Sequence, residues 1–220
     1  MERNKKIIFI ALPVVLAVIF FGVVLAHAVF FVPADEITVP SSIIPTPSII
    51  QKFPVSSQDL INKKTEQSTI QTYPASYPKQ LRIPAINVSA KIQYVGITEN
   101  GKMATPSNFT DVGWFRDGVV PGSKGSAVID GHVDNGLAFP AVFVNLGNLN
   151  IGDDIYIDTI GGSTVHFKII NMEDYAANSG TEGIFNQTDN NYLKLITCAG
   201  VWSILHRTHD QRLVVTAEQV

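Results

Sequence analysis

The chain has 220 residues, a net charge of −3 and only 16% charged residues, so nothing electrostatic favours a nucleic-acid partner. Its single cysteine excludes an internal disulfide, and a folded domain must be held by burial alone.

Ile7 to Ala26 is a run of twenty residues without a charge. As a helix it is long enough to cross a hydrocarbon core of about 30 Å. Arg3, Lys5 and Lys6 precede it, which keeps the first residues cytoplasmic and sends the remainder outward. Ala26-His27-Ala28 has the small-x-small form of a signal-peptidase site, but the apolar run exceeds a secretory core, and an uncleaved anchor is the preferred reading. Residues 1–30 are therefore expected to be a cytoplasmic stub and a single-pass anchor.

Residues 31–79 read as a linker. Pro33, Pro40, Pro45, Pro47, Pro54, Pro74 and Pro78 interrupt helix and central strand alike, with Ser, Thr and Gln between them. Gln58 to Gln67 is the one stretch here with helical character. A semi-extended coil of this length reaches on the order of 40 Å.

Residues 80–220 change character to short β-type runs separated by Gly, Pro, Asn and Asp. Leu81 to Val88, Ala90 to Val95, Ser126 to Ile129, Asp154 to Ile157, Thr164 to Asn171, Tyr192 to Thr197 and Arg212 to Ala217 are the strand candidates. Asn100-Gly101 and Gly161-Gly162 are turn signals. Phe139 to Leu146 invites a short helix, with Pro140 in its first turn. Many short strands with almost no helix point to one extracytoplasmic all-β domain, a closed or nearly closed barrel or a sandwich.

Cys198 follows Leu193-Lys-Leu-Ile-Thr, which alternates as a strand, and precedes Ala199-Gly200, read as that strand's end. A thiol at a strand end can be held rigidly at a groove, but near its ordinary pKa of about 8.5 it needs a proton partner or a cation to become a nucleophile. A small buried hydrophobe is the competing account. Among the histidines, His27 belongs to the anchor region, and His166 sits in a strand with a structural role. His206 and His209 read as solvated loop residues. His132, after Ala127-Val-Ile-Asp-Gly, stands at another strand end and mirrors the cysteine. Asp134 reads as a local turn former rather than a partner for that imidazole. Arg212 opens the last strand, where a permanently charged fork of donors suits an oxyanion. Arg207 competes for that role from a less rigid loop.

Taken together, Leu-x-Thr-Cys at 195–198, Gly-His at 131–132, an arginine opening the final strand, the Leu81 to Val88 run and the anchor-plus-stalk layout resemble the sortase family. The resemblance spans about residues 80–220. It implies a closed eight-stranded β-barrel with one or two short helices, and a membrane-anchored cysteine transpeptidase outside the cytoplasmic membrane. Cys198 would attack the threonine carbonyl of a Leu-Pro-x-Thr-Gly type sorting signal near the C-terminus of exported proteins. His132 would serve as acid and base, and Arg212 as oxyanion and substrate holder. Thr197 is assigned to substrate binding. The acceptor would be an amine of the cell wall or a lysine of another surface protein. Gly131-His132-Val133-Asp134 is similar to the class F pattern, while Arg212 in the last strand looks closer to other classes. Lys194 departs from the family's pattern and reads as an outward, solvated lysine. No cofactor and no metal are assigned.

Papain-like enzymes, with cysteine before histidine and on a helix, fit less well. So do L,D-transpeptidases, whose signature would fall on Ile196 and Gly200. The remaining alternative is a non-catalytic extracytoplasmic β domain for adhesion, in which Cys198 would be buried and slow to label.

Overall fold

A computed structural model of the protein describes residues 37–38, 73–135, 137–179, 182–203 and 208–220. The apolar run of residues 7–26, the Gln58 to Gln67 stretch, most of the linker, and His206 with Arg207 lie outside them. Among the described residues no helix is long and apolar enough to cross a membrane.

The described strands are β1 (Ile37–Thr38), β2 (Pro78–Ile83), β3 (Val88–Val95), β4 (Lys102–Met103), β5 (Val112–Phe115), β6 (Gly125–Asp130), β7 (Asp154–Thr159), β8 (Thr164–Ala176), β9 (Asn191–Ser203) and β10 (Thr208–Gln219). One short helix, α1 (Glu182–Phe185), lies between β8 and β9. Strands β2, β3, β5, β6, β9, β10, β8 and β7 close in that order into a barrel, while β1 pairs only with β4. The neighbours are antiparallel except β3–β5 and β6–β9, which are parallel. Eight strands close on an interior just wide enough for side chains to fill.

Strand periodicity explains the filling. Ile155 and Ile157 of β7, Leu193 and Leu195 of β9, and Val215 and Ala217 of β10 alternate inward and meet Trp114, Phe143 and Phe167 in one buried cluster. Each large side chain so buried contributes about 1.5–3 kcal/mol. The intervening positions face outward. Val128 of β6, Ile196 of β9 and Val214 of β10 join Val95, Met103, Phe115, Ile184 and Phe185 in a second cluster on the barrel's outer face. The Phe115 and Phe185 rings meet edge to face at 5.7 Å, so α1 is the lid of this outer layer.

Three local expectations are corrected. The Leu81 to Val88 run is broken by a 3-10 turn at Pro84–Ile86 and by Asn87 in the left-handed region. Pro84 lacks the amide a continuous strand would need. The helix expected over Phe139 to Leu146 is instead a chain of turns ending in the 3-10 turn Leu146–Asn148. Pro140 is drawn into a bridge with Asp134, which holds the chain extended at the point where a helix would start. Finally, β9 does not end at Ala199-Gly200 but continues to Ser203.

On the far outer face, Arg82 of β2 grips Asp158 of β7 with two hydrogen bonds of 2.7 and 2.8 Å. The Arg82 guanidinium holds the Asp158 carboxyl down at about 2, against the opposing effect of partial burial. The pair is part exposed, so its worth is about 0.2–1 kcal/mol. A carboxylate depressed in the folded state stabilises above its unfolded pKa and loses that contribution as pH falls through the folded value. Asp158→Asn should therefore lower the urea midpoint slightly at pH 7. The gap to the native protein should close between about pH 4 and pH 2, and a gap of constant size across that range would contradict this account.

Candidate active site

Cys198 and Arg212 stand on adjoining strands, and His132 stands on the loop that follows a third, β6. In the antiparallel β9–β10 pair, Arg212 lies directly opposite Cys198. Directly opposed residues of such a pair have Cβ atoms about 4.5–5.5 Å apart. On the other side of β9, the parallel register with β6 ends at Asp130 opposite Ile196. The next amide, Gly131, donates to the Ile196 carbonyl at 3.1 Å, and the Thr197 hydroxyl donates to the Gly131 carbonyl at 2.7 Å. Two residues beyond the last pair, His132 arrives level with Cys198.

The three also share a face. Cys198 and Arg212 are each two positions from outer-face residues, Ile196 and Val214, and His132 is four from Val128. Thus the cysteine points away from the barrel interior, with the histidine strand on one side and the arginine strand on the other.

His132 is almost wholly buried. Its Nε2 lies 3.1 Å from the Pro106 carbonyl, and since a carbonyl only accepts, Nε2 carries a proton in this arrangement. The Phe109 ring lies at 5.1 Å and confines the imidazole further. Arg212 is fixed by its own strand. One Nη1 donates to the His209 and Gln211 carbonyls at 3.0 and 2.8 Å, and Nη2 donates to the Thr208 hydroxyl at 3.0 Å. Nε–H and the second Nη2–H have no protein acceptor among the described residues. They are the donors available to an oxyanion.

A β-bulge supports this grip. The β9–β10 register slips between His209 and Gln211, so that Gly200 and Val201 of β9 together oppose the single residue Asp210 of β10. The Asp210 carboxylate accepts from the Val201 amide at 2.7 Å and occupies the space a side chain on Gly200 would need. Gly200 also has φ of +77°, a conformation that favours glycine. Ala199-Gly200 therefore leads into a bulge of β9 and is not a strand end.

Other expectations fare differently. Thr197, assigned to substrate binding, shares the inward face of Leu193 and Leu195 and is 2% exposed. Its hydroxyl donates to the Gly131 carbonyl, so it braces the His132 loop from inside. Lys194 faces outward as expected but is buried, not solvated. Its ammonium donates to the Gly183 carbonyl at 2.9 Å and pins α1, and burial lowers its pKa. His166 has a structural role, stacked on Tyr156 and 2.7 Å from Asp154. His209 belongs to β10 and is nearly buried, not a solvated loop residue. A cavity of about 640 Å³ opens beside Arg212, lined among others by Lys102, Asn178, Trp202, His209 and Asp210.

Cys198 itself is 3% exposed. Burial was the mark attached to the non-catalytic alternative, and ready labelling is not expected of this arrangement. A packing cysteine, however, gives no reason for a histidine and a half-satisfied arginine to flank it on the same face.

Fold and site together define an all-β barrel with a cysteine-centred site on its outer face. The family model "Sortase domain" matches residues 81–220, and the chain belongs to the sortase family. Among solved structures it is similar to sortase C-1 from Actinomyces oris, with 25% identity and a TM-score of 0.52, covering 64% of this chain and 72% of that one. It is also similar in fold to a pilus-related sortase C of Group B Streptococcus, with 17% identity and a TM-score of 0.52, covering 67% and 69%. No curated protein matches the chain. The family and its barrel imply cysteine transpeptidase activity.

Proposed function

We propose that the protein cuts a C-terminal sorting signal of the Leu-Pro-x-Thr-Gly type from exported proteins and transfers the cut end to an amine. The observation that supports this is that Cys198 and Arg212 are directly paired on β9 and β10, with His132 on the loop just past β6 on the other side of β9. Cys198 gives its thiol proton to His132 and attacks the threonine carbonyl as the thiolate, and the Arg212 donors receive the growing oxyanion. His132 gives its proton to the departing glycine amine as the carbon–nitrogen bond breaks, leaving a thioester. It then takes a proton from the incoming amine, which forms the new amide and frees the sulfur. Covalent catalysis divides one hard step into two, and a positioned acid–base adds about 10²–10⁴-fold. The acceptor is a cell-wall amine or a lysine of another surface protein. The uncharged run of residues 7–26 behind Arg3, Lys5 and Lys6 supports a single-pass anchor with the barrel outside the cytoplasmic membrane.

The test is to incubate the purified protein with a library of such signal peptides, with triglycine or a lysine peptide as acceptor. One member should add its N-terminal part to Cys198, visible in the intact mass, and the adduct should decay faster when an amine is present. A protein that no peptide acylates would refute the reading.

A further inference from the structure

His209 touches both arms of the site without belonging to either. Its backbone carbonyl accepts from Arg212 Nη1 at 3.0 Å. Its Nε2 lies 3.6 Å from Asp134 Oδ2, on the loop two residues beyond His132. The residue is 9% exposed, and the Trp202 ring stands edge-on against its imidazole at 5.2 Å. Its Nδ1 is buried and takes no hydrogen bond among the described residues, while Nε2 lies within ion-pair distance of Asp134.

The chain route makes this contact informative. The His132 loop leaves β6, whereas His209 lies at the start of β10, on the opposite side of Cys198's strand. The backbone bonds between the β6 end and β9 run as far as Gly131. Asp134 and His209 join the loop and β10 across the top of β9, and the same residue supplies a carbonyl to the arginine. We propose that His209 is a positioning residue, a clasp that sets the acid–base loop and the oxyanion guanidinium at one spacing around Cys198. Residues that orient groups touching substrate act on the chemical step more than on binding. The charged and titratable groups around it are Asp134 from the loop, Asp210 and Arg212 from β10, and Lys102 of β4 across the cavity.

This inference rests on the transpeptidase reading, and the experiment separates the two. The peptide that acylates the unmodified protein fastest is used with triglycine, and kcat and KM are measured for Asp134→Asn, His209→Gln and the double variant. Each single change should lower kcat about tenfold, with KM within about twofold and the thermal midpoint nearly unmoved. The double variant should be no slower than the worse single, because both changes open the same clasp. Asp134→Glu, which keeps the carboxylate, should recover most of the loss. Asp134 is on the more exposed side of the pair, so its variants report even if His209→Gln does not fold. Unchanged kcat in Asp134→Asn, or losses that multiply in the double variant, would overturn the clasp while leaving the transpeptidase intact. An unmodified protein that forms no acyl-enzyme would sink both.

Discussion

Cys198→Ala should abolish peptide joining while leaving the barrel folded. Removal of a nucleophile from a set of groups that act together costs roughly 10⁶-fold in kcat, because the remaining acid–base and oxyanion donors have no covalent step to serve. The intact mass should show no adduct with any signal peptide. Stability should change little. The sulfur sits on the outer face at the rim beyond Ile196, outside the interior cluster, and losing one such atom costs about 1 kcal/mol. A thermal scan would verify the fold, and Cys198→Ser gives a second, closer isostere if alanine proves disruptive. Joining that persisted in a folded Cys198→Ala protein would end the mechanism. The non-catalytic alternative makes the opposite forecast, since in that case the native protein has no joining to lose.

Parts of this arrangement are open to a reader of the chain and parts are not. Cys198, His132 and Arg212 each sit next to an apolar alternating run, and that alternation carries their register: Leu193 and Leu195 inward puts Cys198 outward. The same parity, carried two residues past Leu195, places Thr197 inward, so its burial is legible in the pattern although the family resemblance points elsewhere. Lys194 was not readable in this way. Parity gives its outward face, but its burial depends on α1, a four-residue helix whose Gly183 carbonyl reaches it across the chain. Strand β5 is hidden for a related reason, being four residues long with Gly113 inside it. A Cβ there would meet Val95 and Pro106 at 3.0 and 3.3 Å, so the glycine follows from tertiary packing and weakens the local strand signal. His209 reads as a loop residue because the apolar alternation of the last strand begins only at Arg212. A bulge keeps both strands running past it instead. Local pattern thus singles out the candidate residues, while contacts distant in sequence decide what braces them.

Gly131→Ala should be among the most damaging single changes that touch no reacting atom. A Cβ at this position would lie 2.5 and 2.7 Å from two carbons of the Phe143 ring and 3.0 Å from Val142 Cγ1. Phe143 has no exposed surface and belongs to the interior cluster, so its ring has no room to retreat. Its amide also donates to the His132 carbonyl at 2.9 Å, which ties ring and loop together. The relief available is for the loop to lift off β9, breaking the bonds from Gly131 to Ile196 and from Thr197 to Gly131. Overpacking costs about 1–3 kcal/mol and each lost hydrogen bond about 1 kcal/mol, so a loss of about 2–4 kcal/mol is expected in urea unfolding. His132 moves with the loop, and a displacement on the order of 1 Å lowers turnover about 10²-fold even in the molecules that remain folded. The cause can be isolated with a compensating change. Phe143→Leu in the Gly131→Ala background removes the colliding ring edge and should recover part of both losses, although Phe143→Leu alone is destabilising. If Gly131→Ala unfolds and turns over like the native protein, the loop is not seated against Phe143, and the placement of His132 beside Cys198 loses its physical basis.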